Sequence, residues 1–91
     1  MSTSLSTSRP WFLYVLECRG GSLYTGVALD VARRFSEHQR GRGARYTRSH
    51  PPERVLLTIE FPDKSAALKA EHAFKALPVN AKRALVARHG S

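Results

Sequence analysis

The sequence predicts a small α+β domain in which a three-stranded antiparallel sheet is flanked by helices, in the order β-β-α-β-α-α. Three observations carry that expectation. Two short aromatic and β-branched runs stand on either side of Arg19-Gly20-Gly21-Ser22, as the arms of a hairpin do. A third such run stands alone further on and is stopped by a proline. The remaining long segments carry apolar residues at helical spacing behind good N-cap residues.

Each element follows from its residues. The Ser/Thr-rich start, residues 1–9, reads as a disordered leader, and residues 10–91 as one domain. Trp11–Cys18 (WFLYVLEC) is the first strand, Gly-Gly supplies the positive φ of a tight turn, and Leu23–Ala28 (LYTGVA) is the returning strand. Gly26 weakens that second strand unless something must come close to its backbone. Asp30 caps a helix that runs through VARRFSEHQ to Gly41. Residues 41–53, with two Gly and two Pro, read as a loop, and Arg54–Phe61 as the third strand. Asp63 or Ser65 caps a second helix over Ser65–Leu77, and Asn80 caps a last one over Ala81–His89.

Composition narrows the function. The chain has 91 residues with 42% hydrophobic content, enough for one core. Fifteen Lys and Arg against seven Asp and Glu leave a net charge of +8, which points to a polyanionic partner. The one cysteine, Cys18, can form no internal disulfide and holds no zinc alone, which fits a reducing, cytoplasmic setting. No apolar run is long enough to span a membrane. Seven arginines lie between Arg33 and Arg54 against Glu37 and Glu53. Of these, Arg33, Arg40, Arg42, Arg45 and Arg48, with Tyr46 interleaved, form a candidate nucleic-acid surface: guanidinium groups for phosphates and an aromatic ring for a base. The same residues would also serve as a solvated loop.

The helices carry a second set. Val31 and Phe35 set the apolar direction of the first helix, His38 falls beside them, and Arg34 lies at the edge of the stripe, with Arg33 and Glu37 more outward. On spacing alone Arg34 could simply snorkel, and His38 could be satisfied by the helix dipole. In the second helix Glu71 lies at the margin of an alanine-rich stripe, where an i,i+4 pair with Lys75 would explain it equally well. Tyr14, Tyr24 and Arg34 follow one another at ten-residue intervals.

With these residues in view, the chain resembles the GIY-YIG nuclease superfamily, in particular its small stand-alone bacterial members. The likeness covers Trp11 to Leu77. The family's Gly-Ile-Tyr stands here as Phe12-Leu13-Tyr14, and its Tyr-Ile-Gly as Tyr24-Thr25-Gly26, followed by Arg33-Arg34 and, after three residues, His38. The run Gly41-Arg42-Gly43-Ala44-Arg45-Tyr46-Thr47 is also similar to a loop of the small members. The resemblance implies a metal-dependent endonuclease acting on DNA, with RNA left open, on branched, nicked or single-stranded forms, in repair or recombination. It implies Tyr14 or Tyr24 as general base, Arg34 as the holder of the scissile phosphate, His38 as an auxiliary group, Glu71 as the ligand of one Mg2+ or Mn2+ ion, and Gly26 as the residue that opens the strand backbone to the site. A protein partner for targeting is compatible with so small a chain. Many members carry a late asparagine that supports the site; the one asparagine here, Asn80, has a different setting.

A tyrosine with a pKa near 10 is a poor base at neutral pH, and Arg34 with a cation beside Tyr14 is expected to favour its phenolate. Tyr14 is then the base or its positioner, and Tyr24 orients water or the base. The competing reading is a nucleic-acid-binding module on the same scaffold with little or no activity.

Overall fold

The computed structural model describes residues 9–90, so the leader expected over 1–9 lies, apart from Arg9, outside the described residues. The elements are β1 (Trp11–Cys18), β2 (Leu23–Ala28), α1 (Val31–Gln39), α2 (Arg45–Ser49), β3 (Pro52–Phe61), α3 (Lys64–Lys75) and α4 (Val79–Gly90). The order is the expected one with a short helix, α2, added. The sheet is antiparallel throughout, with β1 in the middle between β2 and β3.

The central place of β1 explains its unbroken apolar run, because a strand covered on both faces has no solvent side to make polar. Leu13 and Val15 point to one face, where Leu57 and Phe74 bury with them and Ala70 of α3, Leu77 just after it, and Leu85 and Val86 of α4 pack alongside. Tyr14, Leu16 and Cys18 point to the other, against Ala28 and the α1 residues Val31 and Phe35. Burying each of the larger aliphatic side chains is worth about 1.5–3 kcal/mol, so the two thin cores together hold the helices to the sheet.

The turn between β1 and β2 is a single 3-10 turn, Arg19–Gly21, with φ of 86° at Gly20 and 87° at Gly21, as the Gly-Gly pair requires. Arg83 of α4 donates to the Gly21 carbonyl and ties the last helix to this turn. Asp30 caps α1 by accepting from the Arg33 amide, and Asp63, not Ser65, caps α3 through the Ala66 amide.

Besides α3, which spans Lys64–Lys75 and not Ser65–Leu77, three boundaries differ from the sequence reading. The presumed loop 41–53 contains α2, whose N-terminus at Ala44 has no side-chain cap to announce it. Strand β3 begins at Pro52 rather than Arg54, since Pro52 closes the end of the sheet opposite Cys18. Helix α4 begins at Val79, with the Pro78 carbonyl accepting from Lys82, so Asn80 lies within its first turn and accepts only from Ala81. None of the described helices is long and apolar enough to cross a membrane.

Tyr14 pairs directly with Gly26 across β1 and β2, and its ring lies over the glycine. A Cβ at position 26 would come within 2.5 Å of the Tyr14 hydroxyl and 2.7 Å of its Cζ. The glycine therefore admits the tyrosine side chain, a use that sequence alone did not distinguish from access for a ligand. Tyr14 is 1% exposed and has no room to swing away. Gly26→Ala is accordingly expected to destabilise the fold by about 1–3 kcal/mol, the usual cost of forcing extra volume into a packed site. Urea unfolding measures it; an unchanged midpoint would mean the ring does not rest there.

Candidate active site

The site is built around a buried imidazole. Val31, Phe35 and His38 share one stripe of α1, so the stripe that packs on β1 carries His38 into the interior, where it is fully buried. Its satisfaction comes from side chains and not from the helix end. Nε2 lies 2.9 Å from the Tyr14 hydroxyl, and Nδ1 lies 2.8 Å from Thr47 Oγ1. The Thr47 hydroxyl donates its one proton to the Ala44 carbonyl at 2.8 Å. Thr47 Oγ1 must then accept from Nδ1–H, which leaves neutral His38 with a bare Nε2 facing the Tyr14 O–H. Gly43 packs on the imidazole so closely that any Cβ there would collide with Nδ1.

The run Gly43-Ala44-Arg45-Tyr46-Thr47 is thus a clamp that folds into α2 and fixes the tautomer of His38. Sequence reading assigned this segment to phosphate contact and missed Gly43 and Thr47. The available signal was a small residue and a hydroxyl, four positions apart, in an otherwise cationic run.

Tyr14 is the meeting point of the expected site. Burial is the largest influence on its phenol and pushes the pKa from 10.0 up to about 12; Tyr24 and Glu71 add to the rise, while Arg34 acts on the same hydroxyl to lower it. Without a cation beside it, Arg34 works on the phenol in the anticipated direction and desolvation outweighs it. Burial also lowers the pKa of His38, helped by Arg34 and opposed by Glu37. Tyr24 packs its ring 6.4 Å from that of Tyr14 and edge-on to His38 at 5.0 Å.

The two charged residues are held by neighbours. Arg34 Nη1 donates to Glu37 Oε1 at 2.8 Å, while Arg33 Nε lies 3.6 Å from the other oxygen. Arg34 also donates to the Tyr14 hydroxyl, so Glu37 and Tyr14 together orient its fork. Glu71, with its side chain 18% exposed, sets Oε2 3.2 Å from Lys75 Nζ, the i,i+4 pair that spacing allowed. Its proximity to Tyr14 is the part spacing could not supply.

Beside these residues opens a cleft of about 320 Å³ lined by Leu23, Tyr24, Thr25, Tyr46, Lys75 and Lys82. On α1, on α2 and in the segment between them Arg33, Arg40, Arg42, Arg45 and Arg48 are all exposed. Arg54 is taken up elsewhere, 2.5 Å from Glu17 across the sheet. Tyr46, itself exposed, lies in a run of rings between Tyr24 and His50, at 6.2 and 4.4 Å between centroids.

Among the described residues no three His, Cys, Asp or Glu side chains gather as a metal site. The donor set near Tyr14 is one carboxylate with neighbouring phenols. It fits a hard cation that keeps most of its shell as water and phosphate oxygen, as magnesium and manganese do, and it does not fit zinc, which takes three or more protein ligands.

The sheet and its helices thus gather two tyrosines, an arginine and one carboxylate around a single buried hydroxyl. The family model described as the GIY-YIG catalytic domain matches residues 10–82, and the chain belongs to that family, a nuclease superfamily. It is similar to a UPF0213 protein of Cupriavidus pinatubonensis, with 56% identity over 92% of this chain and 93% of that one. A UPF0213 protein of Vibrio cholerae El Tor is 47% identical over 86% of this chain and 78% of its own length. The solution NMR structure of a UPF0213 protein from Bacillus halodurans superposes with a TM-score of 0.60 at 41% identity, covering 90% of this chain and 87% of that one.

The buried imidazole makes stability depend on pH. The unfolded chain takes up the histidine proton near 6.5, whereas burial holds the folded pKa lower. The unfolded state therefore binds more protons over that interval, so stability is full above about 6.5 and falls as pH drops through and below it. Urea midpoints at about pH 7.5 and about pH 5 should differ more for the wild type than for His38→Gln; equal differences would show that His38 is not the titrating group. Thr47→Val, which strands Nδ1–H without an acceptor, should cost about 1–3 kcal/mol at neutral pH, measured in the same way.

Proposed function

We propose that this protein is an endonuclease that hydrolyses phosphodiester bonds of DNA, with Tyr14 and His38 acting as one proton relay. The observation that carries the reading is the Tyr14 hydroxyl, which is bonded to His38 and influenced by Arg34, Tyr24 and Glu71 together. Hydrolysis needs water to lose a proton as its oxygen bonds to phosphorus, while the bond to the leaving oxygen breaks and the negative charge on the phosphate is offset.

Arg34 would place its free N–H groups on the phosphate oxygens, with Glu37 holding the guanidinium in orientation. A phosphate so held sits beside the Tyr14 hydroxyl. A phenol with a pKa of about 12 carries its proton at neutral pH and accepts another only as it gives up its own. The bare Nε2 of His38, 2.9 Å away, takes that proton. In one movement water passes a proton to Tyr14 and Tyr14 passes its own to His38; the imidazolium is then held between the Tyr14 oxygen and Thr47 Oγ1. Tyr24, which lines the open cleft, would orient the attacking water. Glu71 would hold a magnesium or manganese ion, which supplies Lewis acidity at the phosphate and the leaving oxygen. The exposed arginines of α1, α2 and the segment between them would bind flanking phosphates without reading sequence.

One observation favours the alternative, a nucleic-acid-binding module with little activity. Arg34 and Glu71 are each already paired, with Glu37 and with Lys75.

Cleavage of labelled single-stranded, duplex and branched DNA with magnesium or manganese separates the two. On the endonuclease reading Tyr14→Phe, Arg34→Ala and Glu71→Ala each lower kcat/KM by on the order of 10²-fold or more, and Tyr24→Phe by less. Activity declines on the acid side only below about pH 6.5, as the relay's acceptor becomes protonated, and His38→Gln removes that limb. Full activity in Tyr14→Phe contradicts the relay. Binding without cleavage by the wild type, unchanged by Glu71→Ala, supports the module.

A further inference from the structure

Tyr46 lies between Tyr24 and His50 in a run of rings, and the run continues past it. Among the described residues it ends at His50, whose ring lies nearly parallel to that of Tyr46, with 8° between planes and 4.4 Å between centroids. His50 is exposed. Its Nδ1–H donates to the Tyr46 carbonyl at 3.3 Å, which fixes the ring's rotation. The following Pro51 and Pro52 stiffen the backbone, and the Pro51 carbonyl accepts from the Arg19 amide at 2.9 Å, which anchors the segment to the hairpin turn. The ring is thus held flat, at the end of α2, without a substrate.

Two ring-to-ring steps, of 6.2 and 4.4 Å, lead from Tyr24 at the cleft to His50. The exposed Arg45 and Arg48 flank the path on α2. A duplex offers no base face to such a ring, because its bases are stacked on one another; an unpaired nucleotide does.

We propose that His50 is a stacking platform for an unpaired nucleobase next to the phosphate held at Arg34, so that the protein selects DNA with a single-stranded segment beside the cut. The proposal rests on the endonuclease reading for the position of the phosphate, but its ligand, an unpaired base, is tested by binding alone.

The test compares wild type, His50→Ala and His50→Trp for affinity to a single-stranded oligonucleotide and to a blunt duplex, by fluorescence anisotropy in EDTA. Losing one base–aromatic stack should weaken single-strand binding about 5- to 100-fold in His50→Ala and leave duplex binding unchanged. His50→Trp should restore the single-strand affinity. The slope of affinity against salt should be the same in all three, because stacking releases no counterions. The proposal is overturned if His50→Ala weakens both forms equally, weakens neither, or is not rescued by tryptophan. A wild type that shows this selectivity yet cleaves nothing in magnesium refutes the endonuclease reading and leaves the platform standing. Cleavage without any dependence of single-strand affinity on His50 does the reverse.

Discussion

His38 joins three parts of the chain that would otherwise have little to hold them in register. Its ring reaches from α1 to the Tyr14 hydroxyl on the central strand and to Thr47 on α2, and Gly43 closes over it. In an interior of low dielectric, each of these hydrogen bonds is costly to leave unmade, so the three elements must arrive together. The same arrangement orders the chemistry. Thr47 spends its only proton on Ala44, His38 therefore offers a bare nitrogen to Tyr14, and Tyr14 acquires a destination for its proton. Gly26 permits the ring of Tyr14 to lie where that nitrogen can reach it.

Around this neutral relay the charges are kept in local pairs. Arg34 leans on Glu37 and Glu71 on Lys75, both within a single helix. Such half-exposed pairs are weak and easily exchanged for a phosphate or a cation, which suits groups that must be oriented before a substrate arrives and released when it does. Further positive charge lies outside, on the exposed Arg40 and Arg42 after α1 and on Arg45 and Arg48 of α2. On the proposed reading position and chemistry are thus separated: exposed arginines that attract any polyanion, and an interior that moves a proton.

The main elements could be read from residue pattern because local signals and packing agree there. Gly20-Gly21 marked the hairpin, Asp30 and Asp63 marked two helix starts, and the apolar run of β1 marked a strand buried on both faces. Helix α2 escaped because it is short, lacks a side-chain cap and is stabilised by its contact with His38, nine positions earlier in sequence. The site residues were recognisable as types, but their electrostatics were not. Whether Arg34 or burial controls Tyr14 depends on how tightly the ring is enclosed, a property of the folded interior that no spacing encodes. Tyr46 and His50 were likewise visible as aromatic residues in a basic segment, while their stacking order follows only from the folded chain.

The protonation of the His38 ring tests the account most directly. Two-bond nitrogen–proton correlation NMR of the 15N-histidine-labelled protein near neutral pH distinguishes the two ring nitrogens without any substrate. The account predicts a single fixed tautomer with the proton on Nδ1 and a bare Nε2, converting in Thr47→Val to a mixture of the two. A proton on Nε2, or rapid averaging between both nitrogens in the wild type, would contradict it, since Tyr14 would then have no acceptor for its proton.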